Sequence, residues 1–339
     1  MATLPLRAWV APLAAAVAIA GLGLAWTWRA LGVPPSSTFA GEELSRRLES
    51  GRVRIVVLGS SMAASHVNAE RLADGLGLPR EAVATDAMPH SSSAHWFAAW
   101  RARLRGRTPP PDLVLVVGSL GQMLQPRVLA GLDEALYLGE LPPDPPPELL
   151  RPLGGRALDL RLAVLRVRLA TALEDELYAL RRGVAFLAGS SWDVADSIGA
   201  GPTAVLLPDL GVVAMQSAEV QDQLLAPVLA FQDVAPVAET QLPALLREVA
   251  AEAPKTVLVR APTRPDLPRI DSFPPELVAE VAEQARSAGA AWIDLRDLGL
   301  PVERFADPVH LDPAGSEVFT DALVARLRAE ALAPDPGAR

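Results

Sequence analysis

Five short apolar runs separated by helical segments constrain the fold of this chain more than any other feature of its sequence. The runs are Val53–Leu58, Ala82–Ala87, Asp112–Val117, Thr256–Val259 and Ala290–Leu295. A run such as the first, which is apolar throughout, is typical of a parallel strand buried on both faces. The alternation with helices therefore predicts an α/β fold with three layers, in which helices cover both faces of a parallel, flavodoxin-like sheet of about five strands.

The segments between these runs have the apolar spacing that indicates helices. The predicted helices are Ser61–Leu76, Ala94–Leu104, Thr240–Ala251, Pro274–Ala288 and Pro313–Leu332. Trp96 and Trp100 are at helical spacing on the second of them and are predicted core residues. Ligands of such a fold bind at the carboxyl ends of the strands, so we expect the functional site there.

The N-terminal run Ala8–Trp28 is uncharged, is bracketed by Arg7 and Arg29, and carries tryptophans near both ends. It is long enough to cross a bilayer core of about 30 Å, which predicts a transmembrane anchor over residues 1–31. A cleavable signal peptide and a buried helix are the alternatives, although a signal peptide has a shorter apolar core. We expect a single-pass protein of the cell membrane whose body lies on the extracytoplasmic, periplasmic side.

The remaining chain divides by composition. Residues 32–51 read as a Pro- and Ser-containing linker followed by a charged lead-in helix, and residues 52–332 as one α/β domain. An insertion at about 125–250 interrupts this domain with a proline-rich connector and an amphipathic helix, and is otherwise helical or irregular. Residues 333–339 are predicted to be a disordered tail.

Charge and cysteine content exclude several classes of function. The chain of 339 residues has a formal net charge of −9 and no basic run with interleaved aromatics, so we expect no nucleic-acid partner. It has no cysteine and four histidines without zinc-binding spacing, so we expect no metal site and no cofactor.

A carboxylate and an imidazole precede the last helix. Asp307 stands three residues before His310, and Asp312 with Pro313 has the pattern of a helix N-cap followed by a first helical residue. A carboxylate at this distance can hold an imidazole in one tautomer and stabilise its charged form, which is the base half of a nucleophilic triad. Plain Asp-Pro turn chemistry is the alternative.

The candidate nucleophile is Ser61, which follows the first strand in Gly59-Ser60-Ser61 and begins a predicted helix. The helix dipole and free N–H groups there favour developing negative charge. A serine after a strand is also a common N-cap, and Ser60 is the nearest competitor. A second Gly-Ser-Ser at Gly189–Ser191 is predicted not to carry the nucleophile, because no helix obviously begins there.

Together these motifs resemble the SGNH or GDSL hydrolase superfamily, in which a Gly-x-Ser carries the nucleophile and a C-terminal Asp-x-x-His carries the other two triad members. The resemblance implies Ser61 as nucleophile, His310 as base and Asp307 as the residue that orients His310. It covers roughly Arg52 to Gly121 and Lys255 to Arg328, and not the middle of the chain. The chain looks most like membrane-anchored members that work beside membrane-bound O-acyltransferases.

The sequence departs from the family's pattern at the oxyanion-binding positions. The loop with His90 and Ser91 has no glycine where the family has one, although a backbone N–H of either residue could serve. After the third strand, Gly118 is kept but Leu120 stands where the family has asparagine, so Ser119 and Gln122 are candidate replacements. Of the other histidines, we expect His66 to be structural or exposed and His95 to be a surface or packing residue.

The resemblance implies a membrane-anchored serine esterase or O-acyltransferase acting on acyl, in particular acetyl, esters of a cell-surface glycan. Its expected partners are that ester substrate, the membrane through residues 8–28, and a membrane-bound O-acyltransferase. The missing asparagine motivates an alternative, a catalytically degenerate accessory protein of such an acyltransferase.

Overall fold

Five parallel strands in the order β2-β1-β3-β4-β5 form the centre of the computed structural model of the chain. The strands are β1 (Ile55–Ser60), β2 (Val83–Met88), β3 (Leu113–Gly118), β4 (Lys255–Arg260) and β5 (Ala291–Asp294). All neighbouring strands pair in parallel. The predicted α/β class and the five-stranded parallel sheet are therefore confirmed.

The structure describes residues 44, 47–88, 91–128, 137, 141, 145–154, 233–267, 270–335 and 337, all within one compact unit. The predicted membrane anchor, the linker, His90, the second Gly-Ser-Ser and the amphipathic helix of the insertion lie outside these residues. Within the described ranges, no helix combines the length and the apolar character needed to span a membrane.

Helices connect the strands and cover both faces of the sheet. They are α1 (Ser61–His66), α2 (Ala69–Leu76), α3 (Ser93–Ala99), α4 (Leu120–Met123), α5 (Pro147–Leu150), α6 (Leu242–Glu252), α7 (Pro275–Ser287) and α8 (Pro313–Ala329). Single 3₁₀ turns lie at Arg80–Ala82, Arg151–Leu153, Val237–Glu239 and Val302–Arg304, and a π turn at Trp100–Leu104 extends α3.

The predicted helix Ser61–Leu76 is two helices, and this expectation was wrong. Helix α1 ends at His66, and the side chain of Asn68 accepts a hydrogen bond from the N–H of Arg71 at the start of α2. Asparagine is among the strongest N-cap residues because its side-chain oxygen satisfies an N–H that has no partner within the helix. Because of this break, α1 is a short helix that follows directly in the chain after the end of β1.

Alternating side chains of the strands divide the core into two clusters. Val56, Leu58 and Val116 pack with helices α3, α6 and α7, whereas Val57 and Val117 pack with α1, α2 and α8. Trp96 and Trp100 are fully buried in the first cluster, as predicted. The sheet is thus covered on both faces, which explains why β1 is apolar from Ile55 to Leu58 and β3 is apolar from Leu113 to Val117.

Part of the predicted disordered tail is bound to the domain. The carbonyl of Asp335 accepts a hydrogen bond of 2.7 Å from Arg54, and the carbonyl of Ala333 accepts one from Lys255. The guanidinium of Arg54 is nearly buried and also pairs with Asp112 at 2.6 Å. These contacts hold the chain past the end of α8.

The carboxyl ends of β1 and β3 define the place where the strand order reverses. From β1 the chain crosses to β2 on one side, and β3 then lies on the other side of β1. In open parallel sheets such a reversal leaves a crevice outside the strand ends, which is where ligands bind. Ser61 and Ser119 directly follow these two strands.

Candidate active site

Ser61 is positioned by the junction between β1 and α1. Ser60, the last residue of β1, caps the helix by accepting a hydrogen bond of 3.1 Å from the N–H of Met62. Ser61 is therefore the first helical residue, and its backbone N–H has no partner within the helix. Its side chain is partly exposed, whereas that of Ser60 is fully buried.

Gly59 permits this sharp junction. A Cβ atom at this position would lie 2.2 Å from the carbonyl oxygen of Val117 and 2.7 Å from the Cβ of Ala63. Helix α1 and strand β3 thus approach the backbone at Gly59 too closely for any side chain. The glycine of Gly59-Ser60-Ser61 is explained by this packing.

Asp307 and His310 lie on a loop closed by backbone hydrogen bonds. Phe305 and Leu311 form an isolated antiparallel bridge, and the N–H of Ala306 donates to the carbonyl of His310 at 2.8 Å. Asp312 then caps α8 by accepting from the N–H of Gly315. The helix cap predicted from the sequence is confirmed, and the loop is held at both of its ends.

The structure brings Ser61, His310 and Asp307 together in one hydrogen-bonded line. The Nδ1 atom of His310 lies 2.6 Å from Oδ2 of Asp307, and its Nε2 atom lies 2.7 Å from Oγ of Ser61. The other carboxylate oxygen of Asp307 accepts from the N–H groups of Val309 and His310, each at 2.8 Å. The carboxylate is thus held against the imidazole from two directions.

The charge of Asp307 determines which nitrogen of His310 carries a proton. Burial acts to raise the pKa of the Asp307 carboxyl, but the hydrogen bond from His310 and those from the backbone outweigh it, so the pKa lies below its ordinary value. An ionised carboxylate only accepts hydrogen bonds, so Nδ1 of His310 donates to it. In the neutral ring Nε2 is then unprotonated and faces the hydroxyl of Ser61, as a general base requires.

Gln122 connects the end of β3 to the end of β1. Its Oε1 atom accepts hydrogen bonds from the hydroxyl of Ser60 at 3.0 Å and from the N–H of Ser119 at 3.2 Å. A backbone N–H can only donate, so the oxygen of the Gln122 amide must face Ser119. The NH₂ group is consequently the other arm of the amide, which these two hydrogen bonds leave unused.

The other oxyanion candidates have different surroundings. The hydroxyl of Ser119 caps α4 by accepting from the N–H of Gln122, and Gly118 lies so close to Trp96 that a Cβ would meet the ring at 2.6 Å. The hydroxyl of Ser91 is fully buried, donates to the carbonyl of Met88 and accepts from the Trp96 indole. These three residues have side chains that are absent or already bonded.

Leu120 is fully buried in the core cluster that also contains Trp96. It stands where the resemblance leads us to look for an asparagine. The side chain at this position therefore packs inward and offers no hydrogen-bond donor to the crevice.

His66 and His95 lie within the protein interior. His66 is fully buried at the end of α1 and meets the ring of Phe319 edge-on at a centroid distance of 5.3 Å. His95 is 1% exposed and contacts the ring of Tyr137. His95 is thus a packing residue, and His66 is structural rather than exposed.

Two contacts of this region were missed in the sequence. The Ser119-x-x-Gln122 pattern was a readable signal for the capping box that the structure forms, but it does not predict the bond from Ser60 to Gln122. The hydrogen bond between His66 and the carbonyl of Pro262 had no signal in the sequence, because any residue can supply a main-chain acceptor.

Metal binding is not suggested by this part of the chain. Among the residues that the structure describes, no group of three or more His, Cys, Asp or Glu side chains is arranged to hold a metal ion. The side chains of Ser61, His310 and Asp307 instead bind one another.

Comparison with known protein families found no family model that matches the chain, and comparison with curated proteins found no significant match. A function for this chain therefore rests on its own residues and on the geometry in which they meet.

Proposed function

We propose that the chain is an SGNH-like serine esterase or O-acyltransferase, with Ser61 as nucleophile, His310 as base and Asp307 as the residue that orients His310. The observation that carries this proposal is the continuous line from Asp307 through His310 to the partly exposed Ser61, with distances of 2.6 and 2.7 Å. This arrangement of nucleophile, base and orienting carboxylate activates a hydroxyl for attack on an acyl group.

In the first half of the reaction, the Oγ atom of Ser61 attacks the ester carbonyl while its proton passes to Nε2 of His310. The tetrahedral intermediate then collapses, the alcohol leaves with the proton from His310, and the acyl group remains on Ser61. In the second half, water or an acceptor hydroxyl attacks this acyl-enzyme, and His310 takes the proton of the attacking group and returns it to Ser61. Asp307 stays ionised throughout and stabilises the imidazolium.

Stabilisation of the oxyanion comes from two donors in this proposal. The first is the backbone N–H of Ser61, and the second is the NH₂ group of Gln122, whose oxygen is held by Ser60 and Ser119. Gln122 thereby takes over the role that the resemblance assigns to an asparagine at the position of Leu120. An amide held by two hydrogen bonds is preorganised, as an oxyanion donor must be.

The cellular setting follows from the resemblance and from the N-terminal apolar run. We propose that residues 8–28 anchor the protein in the cell membrane and that the α/β domain acts on the extracytoplasmic side. The substrate class is an acyl, in particular acetyl, ester of a cell-surface glycan, with a membrane-bound O-acyltransferase as partner.

A catalytically degenerate accessory protein is the second candidate. The burial of Leu120 favours it, because the residue at this position offers no oxyanion donor. The intact line of Ser61, His310 and Asp307 favours the enzyme, because an accessory role does not need it.

The test uses the full-length protein in detergent, treated with a fluorophosphonate probe and analysed by intact mass. We expect a single adduct that is lost in Ser61→Ala and retained in Ser191→Ala, the matched change in the second Gly-Ser-Ser. An adduct that persists in folded Ser61→Ala contradicts the assignment of the nucleophile. A folded wild type that neither forms an adduct nor hydrolyses p-nitrophenyl acetate, yet co-purifies with an O-acyltransferase, supports the accessory role.

A further inference from the structure

His66 ends the helix that begins at Ser61, and its buried imidazole has a hydrogen-bonding partner at each ring nitrogen. Its Nε2 atom lies 3.0 Å from the carbonyl oxygen of Pro262, and its Nδ1 atom lies 3.0 Å from Oγ of Ser65. Because a carbonyl only accepts, Nε2 carries the proton. The one proton of the Ser65 hydroxyl has two acceptors within reach, Nδ1 of His66 and the carbonyl oxygen of Met62 at 3.3 Å. Both ring nitrogens thus have a polar partner within hydrogen-bonding distance.

Pro262 belongs to the loop that follows β4, and this loop contacts the other half of the candidate triad. The N–H of Arg264 donates to the carbonyl of Pro308 at 3.2 Å. Pro308 lies between Asp307 and His310. At its base the loop is bound to the end of β3, because the N–H of Ala261 donates to the carbonyl of Gly118 at 3.0 Å.

A short path of hydrogen bonds, separate from the direct contact between Ser61 and His310, therefore joins the segment of Ser61 to the loop of Asp307 and His310. It runs from the helix of Ser61 through the His66 ring to Pro262, and from Arg264 to Pro308 in the loop of His310. The direct contact between Ser61 and His310 is a single hydrogen bond of 2.7 Å. Such a distance depends on how firmly the two supporting segments are held together.

We propose that His66 is a positioning residue, whose ring N–H holds the loop after β4 against the serine helix and thereby sets the distance between Ser61 and His310. The inference rests on the proposed roles of these two residues. It assigns to His66 a part in the reaction that burial in a core does not by itself imply.

The main chain of His66 is held independently of its ring. Its carbonyl accepts a hydrogen bond of 3.1 Å from the hydroxyl of Ser316 on α8. The hydroxyl of Thr320, also on α8, lies 3.3 Å from the same carbonyl, although its proton has a shorter acceptor in the carbonyl of Ser316 at 2.7 Å. Replacing the ring therefore leaves α1 bound to α8. Conversely, a change at Thr320 perturbs the same region without touching the bond between the ring and Pro262.

The test compares His66→Gln with His66→Met, two unbranched side chains of similar length that differ in the donor. Each is assayed as full-length protein with p-nitrophenyl acetate, with folding checked by circular dichroism. We expect His66→Met to lose about tenfold to a hundredfold in kcat with little change in KM, because a small misplacement of reacting groups has an effect of this size. His66→Gln should recover most of that loss, since its amide can donate to Pro262.

Thr320→Val is the matched control, since it removes a buried hydroxyl beside His66 but keeps the ring. We expect its kcat to stay within about twofold of wild type even though its thermal midpoint falls. His66→Phe, which keeps a ring against Phe319, provides a second donor-free variant if His66→Met does not fold. Equal kcat values for folded His66→Gln and a folded donor-free variant overturn the inference, whereas a wild type without turnover or labelling refutes the proposed function instead.

Discussion

The Nε2 atom of His310 lies 2.7 Å from the Oγ atom of Ser61, although the two residues are 249 positions apart in the chain. The contact joins the junction after β1 to the loop before α8. Oδ2 of Asp307 lies 2.6 Å from Nδ1, the other nitrogen of the same ring. Each residue could serve a local structural purpose alone, and their alignment is what supports a reaction.

Asp307→Asn should lower kcat by about 10⁴-fold, as removal of a triad carboxylate's charge does elsewhere. An asparagine that turns its NH₂ group towards Nδ1 places the ring proton on Nε2, where it faces Ser61 and blocks base catalysis. The measurement is kcat for p-nitrophenyl acetate. Asp312→Asn, which keeps the N-cap of α8, is the control and should retain wild-type turnover; similar rates for the two variants would refute the role of Asp307.

Gln122→Glu should lower kcat by about a hundredfold to a thousandfold, the usual effect of losing one oxyanion donor. The glutamate keeps an oxygen to accept from Ser60 and Ser119 but replaces the NH₂ group with a second oxygen. Ser119→Ala removes the cap of α4 without removing the amide, so its main effect should be on stability. Unchanged turnover in Gln122→Glu would exclude this side chain as a donor.

Leu120→Asn should destabilise the protein rather than improve it as a catalyst. Leu120 is fully buried in the same core cluster as Trp96, and its replacement both leaves a cavity and buries an amide, at a cost of about 3 to 5 kcal/mol in the free energy of unfolding. Urea unfolding measures the change. Val318→Asn, at a position that is 45% exposed, is the control and should change stability by only about 0.5 kcal/mol. A stable and more active Leu120→Asn would contradict this account of the oxyanion site.

The stability of the protein should depend on His66 between about pH 6.5 and pH 4. Burial is the main reason that the pKa of His66 is lowered from 6.5 to about 4. Over this interval the unfolded chain binds a proton that the folded protein does not, so the free energy of unfolding falls as the pH falls. The shift corresponds to about 3 kcal/mol for this group.

The comparison of wild type with His66→Met isolates this contribution from other titrating groups. Urea unfolding at a series of pH values should show the stability difference between the two proteins shrinking as the pH falls from 6.5 to 4. A difference that stays constant over this interval would mean that His66 is not held neutral in the folded protein.

The fold was largely predictable because its signals are local. The central strands of a sheet covered on both faces are mostly apolar, and the run that contains Val56 and Leu58 has this property. The break between α1 and α2 was the main error, since the apolar periodicity continued through it. The cap at Asn68 was visible in the sequence, but an asparagine within a helical pattern is also tolerated.

The site was predictable in part. Two motifs identify the side chains that can act in the reaction, namely Gly59-Ser60-Ser61 and Asp307-Pro308-Val309-His310. Both were readable because each motif also forms a compact local backbone structure. The placement of Gln122 was less accessible, because its partner Ser60 is 62 residues away. The link from His66 to Pro262 was not accessible at all, since proline contributes only a carbonyl oxygen to it.

The amino-acid sequence by itself determined the strands, the cap before α8, and the identity of the nucleophile, base and carboxylate candidates. These depend on neighbouring residues, whose spacing sets local backbone geometry. Only the tertiary structure decided that Leu120 packs inward, that Gln122 faces Ser60, and that the ring of His66 reaches the loop after β4. Such contacts depend on how strands and helices pack across the whole domain, and the distance from Ser61 to His310 follows from that packing.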